Sequence, residues 1–389
     1  MIQVAIGIAG LLVMLILAAG AACWTVALLK LVATSRYAPE PLAALAAQLL
    51  VALNIKPHDP LVSWSPRRPV PWALVDLMGT FLLYLVGIFA IRALLDVLGW
   101  LPSQPDETKL TLADKGLLVW ANIGASLGVL GVALPLIALR TGATWRDFGF
   151  SARDLWTDLK LGLAGFVMLA PPVYAIQGVL VYFWQPSKHP LMEMFKETPE
   201  ASFFVVLFVA AAIVAPIFEE LVFRVLLQGL LEKLFSFVGT APEFVFEVVL
   251  GIRVRATPAP LLSPQAAEGS PQEVLFIPDS PYPNSNPYTP SVIVHDQVVP
   301  AELADDGQQA PLCGPSAWLP IGISSIFFAL LHYTHGPDWV ALTLLAAGMG
   351  YLYQRTHRVV PSLIVHALLN SLSMFGLWLQ VYGPPELGR

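Results

Sequence analysis

Three stretches of the sequence put ionisable or amide side chains into otherwise apolar runs, at spacings that a helix turns into shared faces. The first is Ala215-Pro216-Ile217-Phe218-Glu219-Glu220-Leu221-Val222-Phe223-Arg224. In the second, His332 lies four residues after Phe328; in the third, Asn370 lies four after His366. Residues four apart share a helical face, so Glu220 and Arg224 can pair and neutralise each other. Glu219 points about 100° away from Glu220 and is not obliged to join that pair. Glu219, His332, His366 and Asn370 are then free to converge on one point. A carboxylate in low dielectric beside imidazoles is a general base for water. Histidine and asparagine can donate hydrogen bonds to the oxyanion formed when a carbonyl is attacked. No serine or cysteine stands in a nucleophile context, so amide hydrolysis by activated water is the natural reading.

The same residues invite plainer explanations. Glu-Glu-x-x-x-Arg can be a structural ion-pair staple, and a lone histidine in an apolar helix is often a hydrogen-bonded packing residue. His335 and Asp338 read as solvated residues near the outer end of a short turn, and Arg92 with Asp96 as a local helix pair. The case for chemistry rests on the conjunction in three helices. His332 and His366 are also candidate zinc ligands, but the third ligand would have to be Glu219 or Asn370. The first choice removes the base and the second is a weak neutral ligand. The reading therefore leans towards water activated without an obligatory metal, with zinc as the alternative.

The elements that must position these groups are membrane helices. Of 389 residues, 56% are hydrophobic and 12% charged, about half the charge expected of a soluble chain. A net charge of −6 argues against a nucleic-acid partner. Two cysteines, Cys23 and Cys313, exclude a disulfide scaffold or a cysteine-rich metal site. A span needs about 20 apolar residues, and eight such runs occur, near residues 4–29, 77–100, 116–139, 161–184, 201–237, 318–334, 339–354 and 359–382. The expected fold is an all-α polytopic transmembrane bundle whose first span is an uncleaved anchor, with residues 41–55 as an interfacial helix. The chain divides into residues 1–115 (first membrane helices), 116–240 (first part of the core), 241–315 (insert) and 316–389 (second part of the core, with both histidine motifs). The insert region holds thirteen prolines between Pro242 and Pro315 and reads as disordered. Basic loops alternate with acidic ones, which places both termini outside the cytosol and the insert within it.

At the polar residues the sequence resembles the CPBP family of intramembrane metalloproteases, also called Abi proteins, which includes CAAX prenyl proteases and bacteriocin-processing enzymes. Glu219, Glu220 and Arg224 match its Glu-Glu-x-x-x-Arg motif, Phe328 and His332 its Phe-x-x-x-His, and His366 and Asn370 its His-x-x-x-Asn. Gly350 to Thr356 is similar to its glycine-tyrosine segment. The resemblance spans roughly Arg140 to Leu379, interrupted by the insert. It implies that Glu219 and His332 activate the water, that His366 and Asn370 stabilise the oxyanion, and that Glu220 and Arg224 hold the register. It implies peptide or protein substrates within membrane lipid. Two rivals stand beside it: a catalytically idle scaffold or immunity factor, and a proton-coupled transporter.

Overall fold

Within a bilayer core each backbone amide must be satisfied inside its own segment, so apolar runs of this length fold as helices. The computed structural model describes residues 2–101, 110–184, 190–252 and 315–383, and among these there are helices and no strand. The helices are α1 (Ile2–Thr34), α2 (Glu40–Ala52), α3 (Leu74–Val97), α4 (Leu112–Thr141), α5 (Leu155–Phe183), α6 (Pro190–Glu197), α7 (Ala201–Ser236), α8 (Ala241–Phe244), α9 (Pro315–Leu330), α10 (Trp339–Thr356) and α11 (Val360–Tyr382). Six of them, α1, α3, α4, α5, α7 and α11, are long and apolar enough to cross a membrane. The other two expected spans correspond to the shorter α9 and the 18-residue α10.

Helix ends follow local chemistry. Thr111 and Asp114 cap α4 reciprocally, Asp114 N–H donating to Thr111 Oγ1 (3.2 Å) and Thr111 N–H to Asp114 Oδ2 (2.9 Å). Gly142 closes α4 with a left-handed φ of 73°. Asp76, in the first turn of α3, accepts from Ala73 N–H and pairs with Arg140 near the end of α4, which binds these two helices together at one face. Arg92 and Asp96 form the expected local pair at 3.4 Å.

Three helices form the cradle. On α5, a Cβ at Gly162 would lie 2.7 Å from Ile364, and one at Gly165 would lie 2.8 Å from Leu352. The missing side chains let α5 close onto α10 and α11, as small residues do between membrane helices. Phe166, Ala170 and Val173 then bury against Leu345, Met349, Val365 and Leu369. Helix α7 is not a uniform α-helix: its turns over Val209–Val214 and Leu221–Gln228 are π-helical, and an α-helical turn with Pro216 and both glutamates lies between them. Pro216 lacks an N–H and crowds the preceding turn, and a wider turn just before it relieves that crowding. Such π segments concentrate at functional sites.

The segment beyond residue 241 departs from the disordered reading at its start. Thr240 and Glu243 cap α8, which continues as a π-turn over Val245–Val249, and Val248 is buried in the core beside Trp72 and Leu230. Pro242 serves here as a first-turn helix residue, where its missing N–H costs nothing. The rest of the Pro-rich stretch, with Cys313, lies outside the described residues.

Candidate active site

Helix α7 presents Glu220, Arg224, Gln228 and Glu232 at intervals of four, all at most 2% exposed. Arg224 Nε donates to Glu220 Oε2 at 3.3 Å, the pair expected from the spacing. Arg224 Nη1 also donates to Ser324 on α9 (3.1 Å), whose hydroxyl in turn donates to the Phe223 carbonyl (2.9 Å). The guanidinium lies 5.5 Å from the centre of the Phe328 ring, which meets His366 edge-on at 5.7 Å. Phe328 is thus the apolar joint between the α7 ion pair and the α11 histidine.

Glu220 does more than hold Arg224. Its other oxygen, Oε1, accepts from His366 Nδ1 at 3.0 Å. A carboxylate oxygen accepts, so the proton belongs on Nδ1. His366 Nε2 then faces Glu219 Oε2 at 3.6 Å, so that the imidazole bridges two carboxylates. The spacing alone had left Glu220 committed to Arg224, because it says nothing about which helix covers the second oxygen.

His332 stands at the end of α9, its Nδ1 3.0 Å from the Phe328 carbonyl. That carbonyl can only accept, which puts the proton on Nδ1 and the lone pair on Nε2. Asn370 donates from Nδ2 to the Ala211 carbonyl at 2.8 Å, within the first π-turn of α7. Glu219, His332, His366 and Asn370 line one cavity of about 180 Å³ with apolar walls from α5, α7, α10 and α11. The Glu219 side chain is 21% exposed, whereas those of Glu220 and Arg224 are fully buried.

Asp338, read from sequence as solvated, lines this cavity and accepts from Gln177 on α5 at 3.3 Å. Tyr174, one turn before Gln177, lines it too and donates to the Leu369 carbonyl at 2.9 Å. Neither contact leaves a sequence signal, since a tyrosine or glutamine in an apolar span has many uses. The continuation of the four-residue stripe to Gln228 and Glu232 was legible, and marks a second polar cluster. There Gln228 Nε2 donates to Glu232 (3.1 Å) and to the Gly350 carbonyl (2.9 Å). Arg67 bonds to Glu232 (2.7 Å) and the Tyr353 hydroxyl (2.8 Å). The Gly350 and Tyr353 of the glycine-tyrosine segment thus join α10 to α7. Burial alone pulls Arg67 down, but Tyr353 and Glu232 more than offset it and hold the guanidinium above its ordinary pKa.

A catalytic zinc takes three protein ligands and one open position. Both nitrogens of His366 face carboxylates, His332 Nδ1 faces a backbone carbonyl, and among the described residues no three His, Cys, Asp or Glu side chains converge as a metal would need. The donor set does not fit a three-ligand zinc.

An all-helical bundle with several membrane-length helices and a carboxylate–histidine cluster buried among them defines a polytopic membrane protein with an intramembrane polar site. Residues 201–253 and 307–372 match the family described as Rce1-like, type II CAAX prenyl endopeptidase Rce1-like. The match covers about a third of the chain, the part that carries the site, and makes that part similar to the type II CAAX prenyl endopeptidases. The match contains all three motifs and skips residues 254–306, so the Pro-rich stretch is an addition to the family core. It is narrower than the span from Arg140 to Leu379 suggested by the sequence. No curated protein and no solved structure matches the chain.

Proposed function

We propose that the protein is a membrane-embedded endopeptidase that hydrolyses a peptide bond with water activated by Glu219 and His332. The observation that supports this reading most is the meeting of Glu219, His332, His366 and Asn370 in one cavity, with Glu220 and Arg224 buried behind them. Glu219 takes the proton of the water as its oxygen attacks the scissile carbonyl, and later delivers it to the leaving amine. His332 Nε2 orients the water. The developing oxyanion draws a hydrogen bond from Asn370, whose amide keeps a second N–H; His366, whose Nδ1–H is held by Glu220, donates to it only as the imidazolium, from Nε2–H. Glu220 fixes the tautomer and plane of His366, and Arg224 keeps Glu220 in place. The apolar walls of the cavity suit a peptide presented from within membrane lipid.

The test is Glu219→Gln, assayed on internally quenched prenylated and unprenylated CAAX-type peptides. It should lower hydrolysis by about 10²–10⁴-fold with an unchanged thermal midpoint in detergent. Full activity in this variant removes the mechanism. Wild-type protein inert on every peptide would return the reading to the idle scaffold.

We infer further that the face formed by the loops after α2, α4 and α10 is cytosolic, because these are the arginine-rich loops and they pack together. Ser65 N–H donates to the Arg355 carbonyl (2.8 Å) and Val359 N–H to the Gly149 carbonyl (3.1 Å). Cysteine placed at Arg153 in a cysteine-free background should react with an impermeant maleimide only after permeabilisation. Labelling of intact cells would reverse the topology.

A further inference from the structure

The same three loops enclose a second cavity, of about 520 Å³, which shares no lining residue with the first. Arg67, Arg68, Arg146, Arg153 and Arg358 line it, against Asp147 and Asp154. Two of the arginines are fixed in its wall: Arg67 by Glu232 at 2.7 Å, and Arg358 by Asp158 at 2.5 Å. The two lining carboxylates are turned to their own loop. Asp147 accepts from the N–H and hydroxyl of Thr144, both at 2.7 Å, and Asp154 from the Ser151 hydroxyl at 2.6 Å, with Arg358 Nη1 3.9 Å away. The side chains of Arg146 and Arg153 are exposed and make no hydrogen bond or ion pair among the described residues. Arg67 Nε is buried with no hydrogen-bond partner among the described residues.

Position adds the second argument. Helices α4 and α10 end here, at Thr141 and Thr356, and α5 and α11 begin here, at Leu155 and Val360. Trp145 and Trp156 flank this loop at 68% and 67% exposure, Trp145 beside Arg146 and Trp156 three residues past Arg153. Tryptophan and arginine together at the ends of spans mark the membrane–water boundary. A basic pocket between helix ends at that depth suits an anionic lipid headgroup.

We propose that this arginine-lined cavity binds a phosphodiester monoanion, the headgroup phosphate of an anionic phospholipid. The exposed guanidinium forks of Arg146 and Arg153 suit the two free oxygens of one phosphodiester. The site is separate from peptide hydrolysis and stands whether or not the protein is a protease.

Full-length protein, delipidated in maltoside, is titrated with phosphatidylglycerol, phosphatidylcholine and inorganic phosphate and read by native mass spectrometry. Phosphatidylglycerol should bind at least about tenfold more tightly than phosphatidylcholine. In R146Q/R153Q its affinity should fall about thirtyfold, about fivefold for each arginine. Both side chains are exposed and unpaired, so the variant should keep the wild-type thermal midpoint. A titration on wild-type protein alone, at about 0.05 and 0.5 M NaCl, should weaken phosphatidylglycerol binding at least about tenfold, since ionic contacts at a boundary are screened. Equal affinity for both lipids, an unchanged affinity in the variant, or no salt dependence overturns the proposal. Inorganic phosphate binding as tightly as phosphatidylglycerol overturns the lipid as its source, and displacement of the lipid by an acidic peptide such as polyglutamate makes the cavity a protein-docking site instead.

Discussion

Replacing Glu220 by glutamine keeps the shape of the side chain and removes the charge that faces Arg224. Both side chains are fully buried in the native protein. Among the described residues Arg224 then retains Ser324, the Phe328 face and the charge of Glu219 as favourable partners, and its Nη2 is already buried without a hydrogen bond. Breaking a buried pair from one side costs about 3–5 kcal/mol, because the surviving charge stays desolvated. Against a typical stability of about 5–15 kcal/mol this is about a fifth or more of the total. The double variant Glu220→Gln/Arg224→Met leaves no charge behind. It gives up the Ser324 bond, worth about 1 kcal/mol, and should recover about 2 kcal/mol of the single variant's loss. The assay is reversible unfolding of purified protein in mixed micelles, with both single variants and the double variant forming a cycle. Hydrolysis should fail in Glu220→Gln as well, because His366 loses the carboxylate that orients Nδ1. A Glu220→Gln protein as stable as wild type, or a double variant less stable than Glu220→Gln, would refute the argument.

Two further outcomes are expected. Activity should survive exhaustive chelation, with zinc in the active preparation well below one per chain; loss restored by stoichiometric zinc would show that the ligand argument is wrong. Acid stability should depend on His357, which burial, then Arg67, holds below its ordinary pKa. The unfolded chain takes up this proton near pH about 6.5 and the folded protein only lower, so stability is lost as pH falls through about 6.5 towards the folded value. His357→Asn, tolerated at the left-handed φ of 52°, should flatten that slope between about pH 7.5 and 5.5; identical slopes by thermal unfolding would count against it.

The helical class, the long spans and the three motifs were legible in the sequence because each rests on short-range regularities. Apolar length dictates a helix in lipid, and a four-residue interval dictates a shared face, as Glu220–Arg224 and Arg92–Asp96 illustrate. What only the tertiary structure decided is which faces meet. Glu220 reaches His366 because α11 closes on α5 at Gly162 and Gly165, more than 190 residues away along the chain. Asp338 enters the cavity because Gln177 lies opposite it. Arg67 and His357, unremarkable in sequence, share Glu232 because the irregular segment after α2 crosses the end of α10. Hydrogen-bond partners between helices depend on packing distances of a few ångströms, which no interval along the chain encodes. The cavity of arginines arises in the same way: each loop shows its own basic residues in the sequence, but their convergence belongs to the fold.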